Sequence, residues 1–221
     1  MSNNFIQFAS ISKKVTMGIA GLFLILFLLV HLGLNLLLLR PDGGEWFRSA
    51  SHFMGSNYIV KVFEIVLILA FLIHMLMGVL LWLQNRLARP RKYFRTNRSD
   101  TAFMSKYMFH TGVVVLTFLV IHFLNFYFVK LGIVSPPEGI DSHDFYTMAG
   151  MLFSNTTYTV IYLVALLVLG IHLNHAFQSA FQTLGLNHNK YYTLLKRAAL
   201  VYAVVVAGGF MLIPFYYLFI I

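Results

Sequence analysis

VTMGIAGLFLILFLLVHLGLNLLLL, residues 15–39, runs without an acid or a base from Lys14 to Arg40. A hydrocarbon core about 30 Å thick is crossed by roughly 20 residues of helix rising about 1.5 Å each, so this stretch spans a membrane. It is longer than the apolar core of a signal peptide and lacks a small-residue cleavage site, so it is read as a retained helix. Four further runs of the same kind follow, at about 58–85, 106–130, 156–182 and 197–220. The expected fold is all-α: an integral membrane bundle of five transmembrane helices in one domain covering 1–221.

Composition agrees. With 59% hydrophobic and 10% charged residues, and a mean hydropathy of +0.78, the chain has too little polar surface for a water-soluble globule. It has no cysteine, which excludes disulfides, cysteine-ligated iron–sulfur clusters and covalently attached haem within this chain. The net charge of +9 does not indicate nucleic acid, because the bases sit in short loops between apolar runs. Twelve of the 16 bases fall at Lys13 and Lys14, in the second loop (Arg86, Arg89, Arg91, Lys92, Arg95, Arg98, Lys106) and in the fourth (Lys190, Lys196, Arg197). The positive-inside rule places these segments, and the N-terminus, in the cytoplasm. The second loop reads either as a contact for anionic headgroups or as a dock for a soluble partner. The other two loops carry Asp42, Glu45, Glu138, Asp141 and Asp144 and are expected outside.

Nine histidines in so apolar a chain need a reason, since an ionisable group inside a membrane helix is costly and faces the bundle interior with a partner. His31, His74, His122 and His172 fall one to each of the first four helices. His31 lies 17 residues beyond Lys14 and His122 lies 16 beyond Lys106, which puts both at an outer level. His74 is 12 residues from Arg86 and His172 is 13 from Gly185, which puts both at an inner level. The levels differ by about five residues, or roughly 7 Å along a helix axis, so one metal cannot comfortably take all four. Neutral imidazole ligates haem iron well, and two pairs suit two bis-histidine b haems. The competing reading is polar glue, with each histidine hydrogen-bonded across helices. His175, three residues after His172 on nearly the same face, rivals it as a ligand. His110 lies one turn inside helix 3, and His52, His143 and His188 lie in loops. Gly18, Gly21, Gly33, Gly78, Gly112, Gly170, Gly208 and Gly209 offer small surfaces for a porphyrin edge or for close helix packing. A faint echo links His31 with Asn35 and His122 with Asn125.

The four segments LLVHLGLN, FLIHMLMG, LVIHFLNF and GIHLNHAFQSAFQTLG, each with one histidine in helices 1 to 4, resemble the single-subunit, five-helix, dihaem cytochrome b anchor of succinate dehydrogenases and fumarate reductases. The resemblance spans nearly the whole chain. Its most specific part is the interval from His172 to the glycine closing helix 4, Gly185, which favours His172 over His175. It implies a proximal haem on His74 and His172 near the cytoplasm and a distal haem on His31 and His122. It further implies a flavoprotein subunit with FAD, an iron–sulfur subunit on the cytoplasmic face, a menaquinone-like substrate and a bacterial inner membrane. The chain itself would be the non-catalytic electron-transfer subunit. Some fumarate-reducing relatives carry a glutamate two residues before the helix 4 ligand, where this chain has Gly170, which favours succinate oxidation. Glu64, ten residues before His74 and so about 15 Å outward, falls near the distal haem and is a candidate for proton exchange with quinone. Its bland alternative is a helix-end acid reaching water or Lys61. Two rival functions are the cytochrome b subunit of a hydrogenase or formate dehydrogenase, and a proton-coupled transporter. Transporters carry broken helices at the midplane, whereas these runs meet no proline before Pro214.

Overall fold

The computed structural model describes residues 2–87, 100–186 and 188–220. The chain forms α1 (Ser2–Asn35), finished by a 3-10 turn at Leu36–Leu39, then α2 (Glu45–Ser56) and α3 (Tyr58–Leu87). Next come α4 (Asp100–His122), a π-turn (Phe123–Tyr127), α5 (Phe128–Lys130), α6 (Phe145–Ser154), α7 (Thr156–Thr183) and α8 (Asn189–Phe219). Among the described residues, five helical stretches are long and apolar enough to cross a membrane: Ile11–Leu39, Tyr58–Leu87, Lys106–Lys130, Thr156–Thr183 and Lys190–Phe219. The chain is a multi-pass, all-α membrane protein. Ile59, Phe63, Ile65, Leu69, Leu72 and Leu76 of α3 are exposed, an arrangement that water would penalise and lipid does not.

One reading needs correction. The fourth loop is shorter than expected, because Lys190, Lys196 and Arg197 belong to the first turns of α8. Long basic side chains at a helix end reach headgroup water, so the helix need not stop where the apolar run does. The two acidic loops each contain a short helix, α2 and α6, at the same end of the bundle. Arg89, Arg91, Lys92, Arg95 and Arg98, and with them the expectation of a headgroup contact or partner dock, lie outside the described residues.

Helices α1, α3, α4 and α7 form a four-membered ring. α3 packs on α1, α1 on α7, and α7 on α4, while α3 and α4 approach each other least. α8 stands outside the ring against α7 and α1. Its buried side is the stripe Ala199, Ala203, Val206, Phe210, Ile213 and Tyr217, spaced alternately four and three residues apart. Small residues let the backbones close, and hydroxyls tie them: Tyr202 donates to the Ile25 carbonyl at 2.7 Å and Thr159 to the Phe153 carbonyl at 2.7 Å.

The end bearing α2 and α6, here the capped end, is held by one arginine. Arg48 of α2 donates from Nε to Asp144 Oδ1 at 3.0 Å and from Nη2 to Oδ2 at 3.3 Å. It also reaches the Gly43 carbonyl at 2.8 Å and Thr147 Oγ1 at 3.2 Å, and its guanidinium lies 4.6 Å over the Tyr146 ring. Asp144 in turn caps α6 by accepting from the Thr147 amide. Gly44 has φ +85° and faces the Tyr146 ring so closely that a side chain there has no room. Partial burial would push the Asp144 carboxyl up, but the bonds from Arg48 and Thr147 outweigh it and hold the group below its ordinary value of 3.8. A depressed carboxylate adds stability that is present above the ordinary value and is lost as pH falls through the depressed one. Asp144→Asn should therefore lower the melting temperature in detergent near neutral pH, by an amount equivalent to about 1 kcal/mol. It should also flatten the acid limb of the wild-type melting curve; an unchanged acid limb would remove the clamp as its cause.

Candidate functional site

The four helix histidines meet in two couples across the diagonals of the ring. His31 of α1 faces His122 of α4, with ring centroids 5.9 Å apart and planes at 83°. His74 of α3 faces His172 of α7, at 6.5 Å and 73°. These are the pairs the depth count gives. The diagonal helices themselves hardly approach at backbone level, so each couple reaches across the middle of the ring. With a metal–imidazole bond of about 2.0 Å and a ring radius of roughly 1.2 Å, two axial imidazoles on one iron hold their centroids about 6.4 Å apart. Both couples lie near that separation.

Hydrogen bonds from the four imidazoles to other helices are sparse. Glue histidines would be bonded across helices, yet Nδ1 of His74 and Nδ1 of His122 are buried with no partner. The Met17 carbonyl lies toward His74 without closing a hydrogen bond to that nitrogen. The hydrogen-bond contact of His31 lies within its own helix, where the Asn35 amide donates to the His31 carbonyl at 2.8 Å and sits 3.4 Å from Nδ1. His172 makes a side-chain contact across helices, to Thr111 of α4 at 3.1 Å. Among the described residues no group of three or more metal-binding side chains occurs. A couple of imidazoles is nonetheless the protein ligand set of a haem, whose porphyrin supplies the remaining four nitrogens.

The two couples have different surroundings. Phe27 stacks on His31 at 5.2 Å, Phe210 lies at 5.6 Å, and Phe118, Phe126 and Tyr162 ring His122. The other couple meets small residues: a methyl added to Gly21 would lie 3.5 Å from the His74 ring, and one added to Gly112 would lie 3.5 Å from His172. Those two glycines leave flat backbone beside the imidazoles. Gly170 and Gly209 instead serve close packing, against Ala207 and Leu32.

Other candidates separate out. His175 is half-buried and pairs with no second imidazole, while His172 takes the place opposite His74. His52, His110, His143 and His188 are exposed. Glu64 does not reach Lys61. It accepts from Lys130 Nζ of α5 at 2.8 Å, because the neighbouring helix end offers a closer cation than the next turn of its own. The Lys130 ammonium also lies 5.7 Å from the Tyr127 ring centroid.

Sequence reasoning missed the π-turn that follows His122. A widened turn advances less around the axis per residue, which swings Asn125 off the histidine's face. Asn125 donates to the Tyr162 hydroxyl at 3.0 Å on α7. The echo between His31–Asn35 and His122–Asn125 is thus a likeness of sequence only. Family models, curated proteins and solved structures yield no match to this chain.

Gly170 faces α8 and not the middle of the ring, and a Cβ there would stand 3.0 Å from the Ala207 methyl. Gly170→Glu should therefore separate α7 from α8, destabilising the protein by about 3 kcal/mol or more through overpacking and a buried charge. Detergent melting checks this: full wild-type stability would show that the glutamate finds room the packing denies it.

Proposed function

We propose that this chain is a dihaem cytochrome b, the membrane-anchor subunit of a succinate:quinone oxidoreductase in a bacterial inner membrane. The observation that carries the reading is the pair of facing imidazole couples, each near the separation that one iron between them demands. The residue-level resemblance of helices 1 to 4 adds the family.

In this reading His74 and His172 hold the proximal haem and His31 and His122 the distal one. The haems supply the one-electron chemistry; the protein supplies ligation, spacing and dielectric. By the positive-inside rule the N-terminus and the end bearing Lys14, Arg86 and Lys106 lie in the cytoplasm. That end receives the iron–sulfur subunit, which passes electrons from the FAD-bearing flavoprotein. The capped end serves the quinone, a menaquinone-like ring in the lipid. Glu64 and Lys130 form an ion pair at that end, about 15 Å along α3 from His74, and exchange protons with water as the quinone is reduced. Gly170 leaves no acid beside the helix 4 ligand, which favours succinate oxidation over fumarate reduction.

A sharp b-type alpha band in the dithionite-reduced protein, at two haems per chain, is the expected result. His31→Ala and His122→Ala should delete one spectral component, and His74→Ala and His172→Ala the other. Loss of the same component in His31→Ala and His74→Ala would overturn the pairing, and a protein without haem would end the reading. Glu64→Gln should slow quinone turnover about a hundredfold with both haem spectra intact; wild-type turnover in that variant would remove the proposed proton role.

A further inference from the structure

We propose that Thr111 is a positioning residue that fixes the tautomer of His172, so that Nε2 is the atom presented to iron, and that strengthens this imidazole as a donor. The inference rests on the haem reading above. A threonine hydroxyl has one proton and two lone pairs. Thr111 Oγ1 donates that proton to the Met108 carbonyl of its own helix, at 3.0 Å. With that proton on the Met108 carbonyl, the 3.1 Å contact with His172 Nδ1 runs the other way, Nδ1–H donating and the hydroxyl accepting. A neutral imidazole carries one N–H, so Nε2 is left with a free lone pair.

The His172 ring also lies against the backbone next to Thr111, with the Cβ position of Gly112 at van der Waals distance, 3.5 Å, from Cε1. None of the other three imidazoles has a hydroxyl at Nδ1: that atom has no hydrogen-bond partner in His74 and in His122, and in His31 its polar contact is the Asn35 amide nitrogen, which cannot accept. A ligand whose outer N–H is hydrogen-bonded is more basic and favours ferric over ferrous iron, so it holds the potential of its haem down.

The test is redox titration with paramagnetic resonance spectra of purified Thr111→Val, Thr111→Ser and Thr111→Ala. Valine keeps the shape and removes the acceptor, serine keeps the hydroxyl, and alanine covers a valine protein that does not fold. In the valine or alanine variant one haem should shift to higher potential by about 59 mV, equal to a tenfold loss of preference for the ferric state. That haem's resonance signal should move with it. It should be the component deleted in His172→Ala, the other haem should keep its values, and serine should restore both. Two haems with unchanged potentials in valine and alanine would overturn the role of Thr111 and leave the haem reading standing. A shift confined to the component deleted in His31→Ala would overturn it equally. A wild-type protein without haem would sink both.

Discussion

An imidazole nitrogen in hydrocarbon has no water to fall back on, so its partner has to come from the protein or from something the protein holds. Four such rings, one on each member of a four-helix ring, set the terms for the rest of the structure. Each lies well inside one of the five candidate spans, and two leave a buried nitrogen without a protein partner. The ring resolves this geometrically by aiming its histidines across the diagonals at two heights. The glycines beside one couple and the aromatic rings around the other follow from that choice. So does the outward position of α8, which carries no histidine and packs on the back of α7.

How much of this the sequence discloses depends on what kind of signal each feature leaves. Spans are set by length and charge, so the five helices are legible to within a few residues apart from the early start of α8. Depth is legible only in part: charged residues at the span ends act as rulers, so His31 with His122 and His74 with His172 could be paired by counting, but Gly21 beside His74 and Gly112 beside His172 put the couples about ten residues, or roughly 15 Å, apart where the count gives about five. Azimuth is not legible. In a chain that is apolar all round, the Ala199 to Tyr217 stripe has no polar face to stand against. The π-turn after His122 leaves no mark in FLNFY, and Asn125 therefore points to Tyr162 where regular helix would keep it near its histidine. Glu64 shows the same limit: its partner was sought on its own helix, but Lys130 sits on a neighbour. Thr111 is one hydroxyl among several until His172 is seen beside it.

The capped end and the histidine ring share a logic at different dielectric. Arg48 gathers Asp144, Thr147 and the Gly43 carbonyl in a half-exposed setting, where each contact is worth little alone and the fork geometry makes them count together. The result docks α2 against α6 and closes the end of the bundle nearest the His31 couple. Within the membrane the polar contacts of the imidazoles are fewer: a single hydroxyl lies beside His172 and a single amide beside His31.

The ring has one weak side. α3 holds to α1, and α4 to α7, but α3 and α4 meet mainly through side chains: Trp82 stacked on Phe109 at 4.1 Å, Phe71 against Phe123, and Glu64 on Lys130. A square missing one side is braced by its diagonals, and the histidine couples are those diagonals. One joins α4 to α1 and the other joins α3 to α7, so each couple ties a helix of the open side to a helix of the closed side. Anything gripped between the rings binds only the folded arrangement and stabilises it by mass action. Ligation and architecture would in this sense be one device: the groups that would set an iron's electronics are the same ones that span the diagonals beside the loosest edge of the bundle.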